Sequence, residues 1–497
     1  MNILLLSMPD SFEHTSSVTM RMPNGALASL AGNLDPHHRV AVADLILVQR
    51  QVRETVQRLL AEHQPDVVGL SVMTFQRRTA QKLAALARQA LPAATIVVGG
   101  YDPSLAPEAY DNPDWPIDVI VRGEGDVTFR DLVRARERGD GFAAIPGLSY
   151  RRDGRFVHNP ARPVSTLAGD EVKLPGRAAR VLDGYTFLGR PIDVVETSRG
   201  CTFDCSFCSI IEMRGRNFHA WPVERVIADI ADARNRGARA IFLVDDNITL
   251  NVARFERLCR AIVEAGFTDL DYIVQAMTSS IAAHGETLAP LMRKAGFRYV
   301  FLGIENVLDE DLAFLRAAAK NAQREAGRRV GNATTAAIEV LHRHGMYVVG
   351  GLIVGNPSDT RESIDTNLEF ARHYVDWPYI QHPTPYPGTP MTKDFRERNL
   401  IVSDAVEEYD GTTAVVRSEH LRADEIEFIR WRAERWMKLR HFWPVVLHSP
   451  LFVLRHGHRM LSHTFRGSSW RSMLGLEAER DVFARYKNLR RAEREYL

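Results

Sequence analysis

The sequence predicts an α/β chain. A flavodoxin-like (Rossmann-like) N-terminal unit comes first, then a partial (β/α)6 barrel of TIM-like kind, then a mainly α-helical C-terminal extension. Three observations predict it. Short continuous Val/Ile/Leu runs alternate with helical patterns in two separate regions, as parallel strands buried on both faces do. A stretch punctuated by Pro and Gly divides the two regions. Past about residue 400 the strand signal fades and Arg, Trp, Phe and His become frequent. The expected division is 1–150, a connector over 151–190, a second unit over 191–400, and a helical region over 401–497.

In the first unit, strands are expected at Ile3–Ser7, Val40–Leu47, Val67–Val72, Thr95–Val98 and Val119–Val121. Helices are expected at Arg50–Glu62, with Val52, Val56, Leu59 and Leu60 on one face, and at Thr79–Leu91. In a doubly wound sheet ligands sit at the carboxyl ends of the strands. Those ends carry Ser71 and Thr74 after one strand, Gly99-Gly100 after the next, and Gly123-Glu124-Gly125 after the last. The glycines read either as tight turns or as places where backbone approaches a large ligand. Neither a Gly-x-x-x-x-Gly-Lys loop nor a Gly-x-Gly-x-x-Gly fingerprint accompanies them.

The connector holds a candidate hairpin at Leu148–Val157. In the second unit, strands are expected at Asp193–Thr197, Ala240–Val244, Tyr272–Ala276, Tyr299–Ile304, Tyr347–Val354 and Tyr379–Thr384. Helices separate them at Val223–Arg236, Val252–Ala265, Leu288–Ala295 and Thr335–His344. The reactive face of such a barrel lies at the strand C-termini.

Composition narrows the function classes. Lys plus Arg (63) and Asp plus Glu (62) cancel, so no global field would hold a nucleic acid. Four cysteines in 497 residues exclude a secreted disulfide scaffold, and the expected location is the reducing cytoplasm. Three of the four fall in Cys201-x3-Cys205-x2-Cys208, directly after the first strand of the second unit. Zinc held by these thiolates and a nearby His219 is one reading, but structural zinc uses paired elements and no second pair exists. A [4Fe–4S] cluster explains the odd number: three thiolates leave one iron open to a chelating amine and carboxylate. Cys259, in Phe255-Glu-Arg-Leu258-Cys259-Arg-Ala-Ile262, has core spacing and reads as a small buried hydrophobe.

At this point the sequence resembles the radical S-adenosylmethionine (SAM) superfamily, whose Cys-x3-Cys-x-aromatic-Cys loop it reproduces with Phe207 as the aromatic. The resemblance implies that Cys201, Cys205 and Cys208 hold the cluster and that Phe207 lies against the adenine of SAM. It further implies Asp245 and Asp246 near the SAM amino group and Glu305 at the ribose. Backbone groups at Ile353 and Gly355 would pair with adenine, with Gln275 in the same pocket. Pro383–Pro390, after the sixth strand, would face the substrate. Met277 stands where relatives often carry Arg, which leaves open what meets the SAM carboxylate.

The first unit, beside such a barrel, resembles the cobalamin (B12)-binding domain that precedes many radical SAM domains. The resemblance implies Ser71, Thr74, Gly99, Gly100, Gly123 and Glu124 as cobalamin contacts. Asp35-Pro-His37-His-Arg-Val40 departs from the Asp-x-His-x-x-Gly pattern at Val40 and precedes the second strand, so His37 reads as a surface turn residue. Cobalamin is therefore expected without a His lower ligand.

The likeness extends to hopanoid C-methylases and to anaerobic magnesium-protoporphyrin cyclase-type proteins. It implies methylation of an unactivated carbon on a small or lipid-like substrate, driven by an external one-electron reductant of flavodoxin or ferredoxin type. An oxidative cyclase or hydroxylase without methyl transfer is the alternative within the class. A non-catalytic corrinoid-binding or redox-sensing protein is the alternative outside it. Residues 421–497 carry 16 Arg/Lys against 9 Asp/Glu, interleaved with Trp431, Trp436, Trp443, Leu451–Leu454 and Trp470. That pattern reads either as a helical cap packing its aromatics on the barrel, or as a surface giving peripheral membrane contact.

Overall fold

Alternation decides the first sheet. Ile3 and Leu5 enter one core while Leu4 and Leu6 enter another, so a strand apolar on both sides must be covered on both faces. The computed structural model describes residues 1–12, 19–169, 171–325, 328–448 and 450–497. Its first sheet contains β1 (Asn2–Ser7), β2 (Arg39–Asp44), β3 (Val67–Ser71), β4 (Thr95–Gly99) and β5 (Val119–Val121), all parallel. Their spatial order, β2-β1-β3-β4-β5, is that of flavodoxin-like folds.

Three local differences from expectation have physical causes. β2 stops at Asp44, whose carboxylate accepts from the Ser7 and Tyr185 hydroxyls, and Leu45–Val48 forms a 3-10 turn. The hairpin β6 (Leu148–Arg152) and β7 (Arg155–His158) is not part of a free connector: β6 pairs antiparallel with β5 and extends the first sheet. A helix at Gly25–Asn33, capped by Asn24, carries little amphipathic signal and was not expected. It buries Leu27 and Ala28 beside the carboxyl end of β1.

The second sheet holds β8 (Arg190–Val195), β9 (Ala240–Leu243), β10 (Asp271–Met277), β11 (Phe297–Glu305), β12 (Tyr347–Ile353) and β13 (Trp377–Gln381). They are parallel and adjacent in sequence order, so the chain winds steadily into an open six-stranded half-barrel. Beyond β8 the short strands Thr186–Phe187 and Met20–Arg21 add antiparallel, which ties the N-terminal segment to the barrel edge. The helix expected at Leu288–Ala295 begins earlier, at Thr278, and runs through Pro290.

The C-terminal region is helical at Ala423–His448, Pro450–Thr464 and Glu479–Glu493. Arg430, buried in the first of these, donates to His382 (3.0 Å) and Glu434 (2.7 Å). Asp410 pairs with Arg490 and Arg494 of the last. The first helix packs on the barrel core through Ile426, Ile429 and Met437, not through its aromatics: Trp431 packs with Phe483 and Tyr486 inside the helical region, and Trp436, Trp443 and Trp470 stay exposed. Among the described residues no helix is long and apolar enough to cross a membrane.

Candidate active site

The cysteine loop leaves β8 and is held at both ends. The Asp245 carboxylate, just past β9, accepts from the Thr197 N–H (2.7 Å), the Thr197 hydroxyl (2.5 Å) and the Ser198 hydroxyl. Its neighbour Asp246 accepts from the Gly200 N–H at 2.7 Å. Burial raises both carboxyls, and these bonds offset part of that rise. Gly200 has φ +88°, and a Cβ there would lie 2.4 Å from the Asn217 carbonyl oxygen, so only glycine turns this corner. Downstream, the Ser206 N–H donates to Leu315 O (3.0 Å) and its carbonyl accepts from Met391 N (2.9 Å).

The loop brings Cys201, Cys205 and Cys208 within electrostatic reach of one another, and none is in a disulfide. Cys208 stands at the N-cap position of the helix Ser209–Arg214, without a side-chain capping hydrogen bond. Burial pushes the Cys205 thiol up to about 12 and Cys208 to about 11, so a bound cation is what would render them thiolates. Cys259 lies apart, in the core with Phe255, Leu258 and Ile262. Three thiols gathered on one loop, none of them in a disulfide, fit a cluster held by three protein ligands.

Around the loop, Phe207 packs in one cluster with Cys205 and Ile353. Gln275 is half-buried on β10, two residues before the strand ends. Glu305 ends β11 and pairs with Lys320. The Ile353 carbonyl accepts from Asn306 (3.1 Å), and the Gly355 N–H donates to Asp359 (2.7 Å), so both backbone groups already have internal partners. Two polar groups that the motifs did not single out face the thiols. Asn247 Nδ2 lies 4.0 Å from Cys201 Sγ and 3.7 Å from Met277 Sδ. The Lys320 ammonium sits over Gly303, which pairs in register with Met277. Burial alone would depress it, but Glu305, then Cys205, outweigh that and push it upward.

Between the two sheets lies a cavity of about 370 Å³. Ser71, Gly99, Gly100, Gly123 and Glu124 line it from the first sheet, and Glu196, Arg199, Arg214 and Asp246 from the cysteine-loop side. Thr74 does not line it: β3 ends at Ser71, and the turn Thr74–Gln76 folds inward, its Gln76 amide bonded to Met73 N and Asp10 O. Gly100 has φ +107°, and a Cβ there would lie 2.7 Å from the Val72 carbonyl oxygen. This lets Tyr101 turn towards the loop. Burial, then the charges of Asp246 and Cys208, raise its phenol.

Glu124 faces the cavity as an ion-pair partner. It binds Arg214 and Arg199 (3.4 Å) and accepts from Ser165 N at 2.7 Å. Arg199, two residues before Cys201, also holds Asp126 (2.7 Å) and Glu196 (2.8 Å). Burial pushes Glu196 up to about 7 although Arg199 opposes it, while Arg199 outweighs burial at Asp126 and lowers it. One guanidinium thus fastens the cysteine loop to the first sheet. His37 lies at the opposite edge of that sheet, exposed, 2.8 Å from Glu137.

Comparison with known proteins gives matching assignments. Residues 15–133 match the family of the B12 binding domain, and residues 195–371 match the Radical SAM superfamily. An uncharacterized methyltransferase of Pyrococcus horikoshii is 28% identical over 459 residues, covering 92% of this chain and 96% of that protein. The anaerobic magnesium-protoporphyrin IX monomethyl ester cyclase of Rubrivivax gelatinosus is 27% identical over 393 residues, covering 76% of this chain and 66% of the cyclase. Among solved structures, the radical S-adenosylmethionine methyltransferase TsrM of Kitasatospora setae, with cobalamin and a [4Fe–4S] cluster bound, superposes with TM-score 0.63. That match has 20% identity and covers 80% of this chain and 78% of TsrM.

Proposed function

We propose that this protein, whose B12-binding domain and radical SAM domain place it among the cobalamin-dependent radical SAM proteins, is a C-methyltransferase. It acts on a small or lipid-like molecule held between its two sheets. The observation that carries the reading is the shared cavity. The glycine-ended strands of the B12-binding sheet and the flanks of the three-cysteine loop open on the same space.

Cys201, Cys205 and Cys208 would hold the [4Fe–4S] cluster, leaving one iron for SAM. Phe207 and Ile353 supply an apolar wall beside Cys205, suited to an adenine. Glu305 and Gln275 reach the same side of the barrel, and Gly355 shapes the turn beside it. Asp245 and Asp246 act by fixing the loop that bears the thiols. On the facing side, Ser71, Gly99, Gly100 and Gly123 leave room for a corrin, while Glu124 holds the two domains together. When bound, the cluster with SAM would supply radical chemistry at an unactivated carbon, and the cobalamin would supply the methyl group for transfer. The chain's part is to orient both groups, exclude water through the Arg199 and Arg214 ion pairs, and accept electrons from an external flavodoxin- or ferredoxin-type donor.

The test is anaerobic reconstitution with iron, sulfide and cobalamin, then reduction with methyl-labelled SAM and candidate substrates. The expected result is 5′-deoxyadenosine together with labelled product. Deoxyadenosine with unlabelled, oxidised or cyclised product would overturn methyl transfer in favour of cyclase or hydroxylase chemistry. Absence of deoxyadenosine from a cluster-loaded protein would overturn the enzymatic reading.

A further inference from the structure

The half-barrel has a second cavity, of about 560 Å³, at the strand ends remote from the cysteine loop. Four arginines line it, Arg190, Arg293, Arg298 and Arg455, against one carboxylate, Asp271. Asp271 is shared by Arg190 and Arg298 (3.9 Å), whereas neither Arg293 nor Arg455 forms an ion pair among the described residues. The Arg298 guanidinium is lowered by burial, then by the charge of Arg293. Such a crowd of cations is completed by an anion.

The C-terminal helices bring an apolar surface to the rim of this cavity. Ala423–His448 starts near the carboxyl end of β13, where Arg430 meets His382, and runs to the opposite end of the barrel. Pro450–Thr464 then turns back, since Phe452 lies against Gly189 while Arg435 further up stacks on Phe465 and bonds Ser468. The inner face of the returning helix is satisfied by Phe452, Gly457 and Met460, which are buried. On the outside of the hairpin, the described apolar side chains are exposed. Trp443 and Leu447, four apart near the end of the first helix, and Leu451 and Leu454, three apart at the start of the returning one, are 68%, 79%, 79% and 84% exposed. Leu451 belongs to both the tip and the cavity lining.

Charge identifies the occupant. The hairpin segment 440–463 holds three arginines and no Asp or Glu, and its Arg455 shares the cavity with Arg190, Arg293 and Arg298, so positive charge is concentrated at this end of the barrel although the whole chain is only +1. A second copy would bring like charge against like charge at this face. A membrane rich in acidic lipids matches both features, and with no helix able to span among the described residues the contact lies on the surface. We infer that this end of the barrel docks on an anionic phospholipid bilayer, the hairpin tip entering the acyl region and the arginine-lined cavity taking a lipid phosphate. The contact lies at the other end of the strands from the reaction cavity, so it anchors the protein whatever the substrate and does not rest on methyl transfer.

The test is co-sedimentation of the full reconstituted chain with vesicles of phosphatidylcholine alone or mixed with phosphatidylglycerol. Binding at least about tenfold tighter to the anionic vesicles, weakened by salt, is expected. Leu451→Glu with Leu454→Glu should lower binding to anionic vesicles roughly tenfold or more. Arg293→Gln with Arg455→Gln should remove the preference for anionic over neutral lipid. Cluster absorbance and circular dichroism check that each variant is folded. In the unsubstituted protein, tryptophan fluorescence should be quenched by lipids brominated on their acyl chains. Three outcomes would overturn the inference: equal binding of wild type and the Leu451/Leu454 variant, a dimer in sedimentation velocity that this variant dissolves, or inorganic phosphate binding without vesicle binding.

Discussion

The two sheets solve the same problem in different materials. Both have a parallel core with antiparallel strands added at one edge, and carboxyl ends of strands in each, β8 and β9 in the second, open on one cavity. The first ends its strands in Ser71, Gly99-Gly100 and Gly123, and so offers backbone and open space. The second ends its strands in thiols and charges: the cysteine loop after β8, Asp245 and Asp246 after β9, Glu305 with Lys320 at β11. A planar macrocycle needs room and few directional contacts, whereas a metal cluster and a charged sulfonium need donors fixed in direction. Substitutions on the first side should therefore act by bulk, and those on the second by loss of a charge or ligand.

The largest effect expected is Cys205→Ala. Iron content should fall and deoxyadenosine formation drop by about a thousandfold or more, while corrinoid retention is unchanged. Cys259→Ala, in the core of helix Val252–Glu264, should leave the cluster intact and lower stability by roughly 1 kcal/mol. Gly100→Val should do the reverse of the Cys205 change. Its Cβ would meet the Val72 carbonyl oxygen at 2.7 Å, in a backbone conformation that valine resists. Corrinoid binding should weaken at least about tenfold at a stability cost of about 2 kcal/mol, with iron content and cluster absorbance kept. If either variant lost both cofactors while folded, the division of labour between the sheets would fail.

The same contrast explains what the sequence could reveal. Strands of both sheets were legible because β-branched runs between helical patterns leave few alternatives, and the cysteine loop was legible because its spacing alone carries chemistry. The helix Gly25–Asn33, which lines the cavity, escaped because its small residues carry almost no periodic signal. That Thr74 is buried outside the cavity lining is not legible in the sequence, because hydroxyls after a strand end look alike whether they face a cavity or fold inward. Lys320 lies after β11 with no motif around it, and only tertiary structure brings its ammonium over Gly303, the register partner of Met277. Arg199 and Glu124 each sit in recognisable segments, but their pairing spans 75 residues and belongs to tertiary structure.

Joining the two materials is the work of Arg199, and Arg199→Met probes it. Removal would leave Asp126 buried without its main counter-charge and Glu124 with Arg214 alone. A loss of roughly 3 kcal/mol is expected, read by urea denaturation. The transition should broaden or split, since only the Arg214–Glu124 pair of these guanidinium clamps to the B12-binding sheet then remains. A single transition at unchanged midpoint would mean that the sheets are held together elsewhere.

The smallest effect expected is on pH dependence, and it should reside on the second side, where carboxylates and not glycines shape the turns. Asp359 accepts the N–H groups of Gly355 and Asn356, each at 2.7 Å, and its carboxylate lies within electrostatic reach of Asp311. Burial, then the charge of Asp359, pushes the Asp311 carboxyl up to about 7, so the folded pair keeps one proton that the unfolded chain releases near pH 4. A folded state that binds the extra proton is favoured at low pH. The contribution is fully present below about pH 4 and is lost as pH rises through about 7. Between about pH 5 and about pH 8 the wild type should lose roughly 2 kcal/mol from this pair. Asp311→Asn, which mimics the protonated partner, should flatten that part of the slope and leave the rest of the profile parallel to wild type. Stability measured in urea at several pH values separates the two curves. If they remain parallel across the whole range, the proton is not held at Asp311, and the turn beside Gly355 is set by backbone geometry, as on the first sheet.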